Sequence, residues 1–224
     1  MKKIMSILLL SFTLLFADSF NESKKELARL YDSLGSDYQY DFYCNAPFKI
    51  NKKGKYIKFE VLPSNQYSPR NEYTKKGKIN QRAKRIEWEH IMPAYNFGRH
   101  LPCWKKGGRK ACQNDPVFQK MEADKQNLVP AIGETNGDRS NFRYAQAPLN
   151  LEYNQYGNCK VYTDFKAKRF YPADYSKGWI ARSYLYMSKT YNIKLSDQER
   201  KLMEAWDKQY PMSEKEKRIR ELAR

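Results

Sequence analysis

The chain has 224 residues, 15% of them aromatic, with 42 Lys and Arg against 25 Asp and Glu and a formal net charge of +17. That aromatic content excludes an intrinsically disordered chain, and the length suits one domain with a substantial core or at most two small ones. A folded surface this basic points to a polyanionic partner, whether nucleic acid, acidic glycan or anionic membrane.

Lys2 and Lys3 precede the apolar run from Ile4 to Phe16, interrupted only by Ser6, Ser11 and Thr13, and Ala17 supplies a small residue for cleavage. Residues 1–17 therefore read as a secretory signal peptide, too short to span a bilayer comfortably, with residues 18–224 as the mature domain. Leu27, Leu30, Tyr31 and Leu34 recur at helical spacing ahead of Gly35, which predicts a helix over residues 21–34. Helical periodicity then fades. Residues 56–61 alternate as a strand, Pro63, Pro69 and Gly77 punctuate loops, and residues 85–91 have strand character ended by Pro93. Asp115 and Pro116 combine an N-cap with proline at the first helical position, opening a helix that carries Phe118, Met121 and Glu122. Pro130 is placed to open a second, short helix closed by Gly137, with Asn136 in its last turn. Trp179, Ile180, Tyr184, Leu185 and Met187 predict a helix after Gly178. Ser196–Glu199 and Ser213–Glu216 have the form of capping boxes, and Leu202, Ala205 and Trp206 give the first of these two helices an apolar face. With no internal repeat and no linker, the expectation is a single mixed α+β domain, largely helical.

All four cysteines, Cys44, Cys103, Cys112 and Cys159, follow the leader. An even count in an exported chain implies disulfides, and three pairings are open. Cys103 with Cys112 is the natural local pair, closing a short loop rich in Gly and Lys. Cys44 with Cys159 then ties the early chain to the middle. Neither the cysteine nor the histidine spacing suits a zinc site.

The chemistry concentrates in two strings. Glu89 stands beside His90, one of two histidines, and Asn136 follows in GETNGD. Carboxylate and amide oxygens suit a hard divalent ion that keeps several waters and binds substrate phosphate. An imidazole deprotonates water near neutral pH. Together they form a minimal kit for phosphodiester hydrolysis with one metal ion, Mg²⁺ first, with Mn²⁺ and Ca²⁺ compatible. Adjacent residues of a regular strand point to opposite faces, so Glu89 and His90 reach one phosphate only if the strand bends or ends there. The second ring nitrogen of His90 is expected on a backbone carbonyl. His100 falls outside this set and reads as structural or surface.

Arg109, within KKGGRK, offers a guanidinium able to grip two phosphate oxygens, and Gly107 and Gly108 let backbone approach a nucleic acid closely. Glu122 reads either as an acid orienting a metal-bound water or as a solvent-facing helix residue. Tyr67, Arg70, Tyr73 and the basic residues up to Arg85 interleave aromatic and cationic groups. Nucleic-acid contacts are expected from Lys105, Lys106, Lys110, Arg82, Lys84 and Arg85. Contacts to backbone rather than bases imply weak sequence preference.

The strings EWEHIMPAYNFG, CWKKGGRKAC, MEADKQNLVPAIGETNGDRSNF and IARSYLYMS…LMEAWDKQYP, in this order, resemble the endonuclease I family of bacterial periplasmic or secreted nucleases. The resemblance runs from about Ser23 to about Glu216. It implies a ββα-metal (His-Me finger) core and metal-dependent cleavage of DNA, and often RNA, with little sequence preference. On the same resemblance Glu89 and Asn136 bind the metal, His90 is the general base, Arg109 binds the cleaved phosphate, and Glu122 occupies a further acidic position near the site. The chain is then a monomeric periplasmic or secreted endonuclease acting on DNA and also RNA, with no membrane partner in its mature form. A competing reading, a non-catalytic basic protein that captures extracellular nucleic acid, needs no Glu89-His90-Asn136 set. A membrane-active protein would need an amphipathic exposed helix, and residues 214–224 are too polar for that role.

Overall fold

The computed structural model describes residues 19–54 and 56–224, so the expected leader over residues 1–17 lies outside the described residues. Helix α1 (Phe20–Leu34) starts where Ser19 accepts from the Glu22 backbone N–H while the Glu22 carboxylate accepts from the Ser19 N–H. Its Leu27, Ala28 and Tyr31 are buried. Strand β1 (Phe48–Lys53) forms an antiparallel hairpin with β2 (Tyr56–Val61). Only β2 was expected, although Phe48 and Ile50 alternate with Lys49 and Asn51 in the same way.

The centre of the molecule is a second antiparallel pair. Strand β3 (Ile86–His90) runs against β4 (Leu128–Ile132), with Trp88 opposite Pro130 and His90 opposite Leu128. Helix α5 (Gly133–Arg139) follows β4 directly. The long connection between the two strands carries α2 (Ala94–Gly98), α3 (Pro102–Ala111) and α4 (Pro116–Glu122). Beyond α5, strands β5 (Arg143–Tyr144), β6 (Tyr162–Asp164) and β7 (Arg169–Tyr171) make a small sheet of order β5-β7-β6. Helices α6 (Asp174–Tyr191), α7 (Asp197–Gln209) and α8 (Glu214–Leu222) complete the chain. One main core, rich in aromatics such as Tyr43, Phe118, Phe170, Tyr184 and Trp206, joins these elements into a single α+β domain. Among the described residues no helix is long and apolar enough to cross a membrane.

Both expected disulfides are present, Cys44–Cys159 and Cys103–Cys112. Four local expectations differ from the structure. Pro130 lies inside β4 and opens no helix, because its carbonyl accepts from the Phe42 N–H and no donor is needed at this position. Asn136 nevertheless sits in the last turn of the short helix α5, as expected, its carbonyl accepting from the Ser140 N–H. The segment between Cys103 and Cys112 is helical on both sides of a break at Gly107 and Gly108 rather than a loop. Helix α6 begins at Asp174, and Gly178 lies within it because a Cβ there would come 2.2 Å from the Tyr210 carbonyl oxygen. In α7, Met203 and Trp206 form the buried face, while Ala205 is exposed.

Candidate active site

Strand β3 stops at His90 because polar groups take over the backbone beyond it. The Ile91 N–H donates to the Asn127 carbonyl at 3.0 Å. The Met92 N–H donates to Asn127 Oδ1 at 2.7 Å, and Asn127 Nδ2 donates back to the Met92 carbonyl at 3.0 Å. Arg139, fully buried at the end of α5, donates to the carbonyls of His90 at 3.1 Å and Ile91 at 2.6 Å, and to Glu89 Oε1 at 2.9 Å. Its Nε is buried without a partner among the described residues, with the guanidinium 4.4 Å from the Tyr144 ring centroid. This strand ending solves the geometric problem that adjacent residues raise. Glu89 and His90 both line one cleft of about 270 Å³, together with Phe20, Arg82, Glu87, Arg109, Asn136 and Arg139.

Glu89 is buried, and its Oε1 accepts from the Tyr43 hydroxyl at 2.7 Å as well as from Arg139. Among the described residues nothing donates to Oε2, which is not sealed from solvent and so opens on the cleft. Burial pushes the Glu89 carboxyl above its ordinary value, while the Arg139 guanidinium and the Tyr43 hydroxyl pull it back. Asn136 is half-buried, and its Nδ2 donates to Glu87 Oε2 at 3.3 Å, which leaves Oδ1 without a donor among the described residues. Gly133 and Gly137 bracket Asn136. A Cβ at Gly133 would lie 2.8 Å from Glu87 Oε1, and one at Gly137 2.3 Å from Arg82 Nη1, so both glycines let α5 close on the Glu87–Arg82 pair.

Two oxygen acceptors lacking protein donors thus share one cleft. They fit a hard divalent ion that retains most of its waters. Among the described residues, no group of three or more His, Cys, Asp or Glu is arranged for a metal ion.

The His90 Nε2–H donates to the Glu122 carbonyl at 2.8 Å, the backbone bond expected from the sequence, and Nδ1 remains as the basic nitrogen. Burial pushes the imidazole down to about 3, opposed by the Glu122 bond and reinforced by Arg109, Arg139 and Lys24, so the ring is neutral near pH 7. Arg109 follows Gly108, whose φ of 64° belongs to the left-handed region that glycine adopts freely. Its Nε donates to Glu122 Oε1 at 2.6 Å, and about half of the side chain stays exposed, leaving the terminal fork available. Glu122 is 13% exposed and paired with Arg109, so the solvent-facing reading of this residue fails.

The remaining basic residues divide. Arg82 and Arg85 both pair with Glu87, each at 2.6 Å, at the edge of the cleft. Lys84, Lys105, Lys106 and Lys110 are exposed. Tyr67 is buried and donates to Glu134 at 2.8 Å, and Arg70 pairs with Asp138, so part of the aromatic-basic segment serves the fold. His100 is exposed beside Arg99, outside the cleft. Sequence reasoning did not single out Phe20, Tyr43, Glu87, Asn127 or Arg139. Glu87 had a signal, since it shares a strand face with Glu89, and so did Arg139, three residues beyond Asn136 on the helix. Phe20, Tyr43 and Asn127 act through contacts distant in sequence and had none.

An antiparallel strand pair ending in Glu-His, followed by a helix that turns an asparagine into the same cleft, defines a β-β-α site within an α+β domain. Residues 19–223 match the family model described as Endonuclease I, and the chain belongs to the endonuclease I family. It is 45% identical over 194 residues to an extracellular deoxyribonuclease of Aeromonas hydrophila, covering 86% of this chain and 77% of the relative. A periplasmic deoxyribonuclease of the same organism is 45% identical over 196 residues, covering 87% of this chain and 76% of the relative. "Endonuclease-1" of Buchnera aphidicola subsp. Baizongia pistaciae (strain Bp) is 46% identical over 193 residues, covering 86% and 73%.

Proposed function

We propose that the mature chain is a periplasmic or secreted endonuclease that hydrolyses phosphodiester bonds in DNA, and in RNA as well, with little sequence preference. It acts as a monomer with one Mg²⁺-type ion, and Mn²⁺ or Ca²⁺ are compatible with the same donors. The observation that carries this reading is the cleft itself, where Glu89 Oε2 and Asn136 Oδ1 lack donors among the described residues beside a neutral, tethered His90. The names of the relatives, extracellular and periplasmic deoxyribonuclease, support the substrate and the location.

Glu89 and Asn136 would hold the metal ion, which when bound supplies positive charge for the phosphoryl and leaving oxygens. His90 takes a proton from the attacking water at Nδ1, with Nε2–H fixed on the Glu122 carbonyl throughout. Arg109 receives the phosphate with its free guanidinium fork while Glu122 steadies its Nε. Glu87 orients the Asn136 amide and absorbs the charge of Arg82 and Arg85. The exposed lysines give sequence-blind attraction to the phosphate backbone. Purified mature protein incubated with plasmid should cleave it in the presence of Mg²⁺ and stop on addition of a chelator. Protein that binds plasmid tightly yet leaves it intact under every divalent metal tried would favour the non-catalytic binder instead.

A further inference from the structure

Phe20 is the first residue of α1, yet its ring lines the same cleft as Glu89, His90 and Asn136. It lies against the His90 imidazole, centroids 4.8 Å apart and planes tilted by 37°. Two cations meet the same ring, Lys24 Nζ at 4.6 Å and Arg109 Cζ at 5.5 Å from its centroid. A phenyl ring carries no polar atom, so its contribution here is steric and electrostatic: it limits where an imidazole can swing and offers its face to cations. His90 needs such a limit. Its ring has one polar tether among the described residues, the Nε2–H bond to the Glu122 carbonyl, and a single hydrogen bond leaves rotation about its own axis open. Phe97 supports the ring from within the core at 5.8 Å, and Phe20 supplies a second, cleft-side contact.

The first turn of α1 is built to hold this position. The Ser19–Glu22 capping box fixes its backbone. The buried Ser23 hydroxyl donates to the Ala123 carbonyl at 2.6 Å, one residue beyond Glu122. The turn carrying Phe20 is thereby bolted to the segment that holds both His90 and Arg109. Retention of α1 itself does not depend on Phe20, because Leu27, Ala28 and Tyr31 bury its inner face.

We infer that Phe20 is a positioning residue of this active site: its ring clamps the His90 imidazole against the Glu122 carbonyl and backs Arg109 and Lys24 towards the phosphate. The inference rests on the nuclease reading of the site, although the clamp has a readout of its own. Misplacement of a reacting group by about 1 Å costs on the order of 10²-fold in rate. Phe20→Ala should therefore lower kcat by roughly 10- to 100-fold, with KM and Tm close to parental. Phe20→Tyr, which keeps the ring, should restore the rate.

The decisive measurement is imidazole NMR on protein carrying ¹⁵N-labelled histidine. There are two histidines, so exposed His100 serves as an internal reference for buried His90. The parent should show a slowly exchanging, hydrogen-bonded Nε2–H from His90. Phe20→Ala should lose that protection and Phe20→Tyr should regain it. A Phe20→Ala protein with parental kcat and an intact His90 signal overturns the inference, as does a variant in which kcat and Tm fall together without rescue by Phe20→Tyr. If the parent fails to cleave DNA, the nuclease reading falls, while the NMR comparison still decides whether Phe20 holds His90.

Discussion

Arg139 closes β3 and holds Glu89 at once, so replacing it by lysine tests both roles. The guanidinium reaches three buried acceptors, Glu89 Oε1 at 2.9 Å, the His90 carbonyl at 3.1 Å and the Ile91 carbonyl at 2.6 Å, and at 3.4 Å the part-buried Ser140 carbonyl. An ammonium on a shorter reach can satisfy the carboxylate but not two further carbonyls in one plane. Each buried acceptor left without a donor costs about 1–3 kcal/mol, so Arg139→Lys should destabilise by roughly 2–6 kcal/mol. Arg139→Met also strips Glu89 of its charge partner, and breaking such a buried pair from one side costs about 3–5 kcal/mol more. That sum reaches the whole stability of an ordinary domain, about 5–15 kcal/mol, so the methionine variant should be largely unfolded. Urea titration followed by far-UV circular dichroism gives the comparison, read from midpoints at an unchanged slope. Folded Arg139→Lys should also cleave DNA more slowly than its folded fraction explains, because Glu89 and His90 lose a common tether. A loss below about 1 kcal/mol for Arg139→Lys would show that the end of β3 is held by something other than this side chain.

His90→Ala should lose roughly 10²- to 10⁴-fold in turnover, the usual worth of a general base, while binding DNA as the parent does. Near-parental turnover would remove His90 from the mechanism. Asn136→Ala should shift the metal titration to higher concentration with activity partly recovered there, and Glu89→Ala should be harsher because it removes the charged donor. Identical titrations for parent and both variants would refute the ligand pair. Binding by a cleavage-inactive variant should weaken steeply with salt, each neutralised phosphate adding about −0.9 to the slope of log K against log salt on duplex DNA. A flat response, or strong preference for one site among random duplexes, would contradict backbone recognition. Cys44→Ala/Cys159→Ala should mainly lower Tm, since that bridge spans 115 residues and chain entropy assigns such a loop about 4.7 kcal/mol. Cys103→Ala/Cys112→Ala should stay folded but cleave more slowly, because its short bridge flanks the glycine break that aims Arg109. Equal Tm losses in the two double variants would undo this division.

The residues proposed to bear the chemistry could be singled out because they lie in short strings whose local structure is set locally. IEWEH alternates as a strand, Pro93 cannot extend it, and Asp115-Pro116 starts α4 where the sequence places it. What failed was punctuation whose meaning depends on a distant neighbour. Proline favours both a helix start and an edge strand, and the Phe42 N–H reaching the Pro130 carbonyl decides between them. Glycine suggests a boundary, yet Gly178 is a gap left for the Tyr210 carbonyl, and Gly137 is a gap left for Arg82. No local pattern carries that information. Tyr43 on Glu89, and Phe20 on His90, were hidden for the same reason: each meets its partner only after the β3–β4 pair and α1 have packed.

Glu122 shows how much of the site lies in the connection between the two central strands. Its carbonyl holds His90 and its carboxylate holds Arg109, so the proposed base and the proposed phosphate-binding group are referred to one residue at the end of α4. The phase of that residue follows from the start of the helix. Asp115 accepts from the Phe118 N–H and fixes the first turn, Phe118 and Met121 are buried, and Glu122 comes round on the neighbouring face towards β3. A helix turns about 100° per residue, so a shift of one position in α4 would carry the carboxylate away from Arg109 even with every side chain retained. Arg109 in turn depends on a glycine break inside a bridged helix, and His90 on a strand that stops where Asn127 and Arg139 take over its backbone. The proposed catalytic groups are few and lie in short sequence strings, but their mutual geometry is assigned by capping, strand termination and a disulfide acting on separate segments. This is why Glu89, His90, Arg109 and Asn136, which line one cleft, could be singled out from the chain while the supports around them came only with the fold.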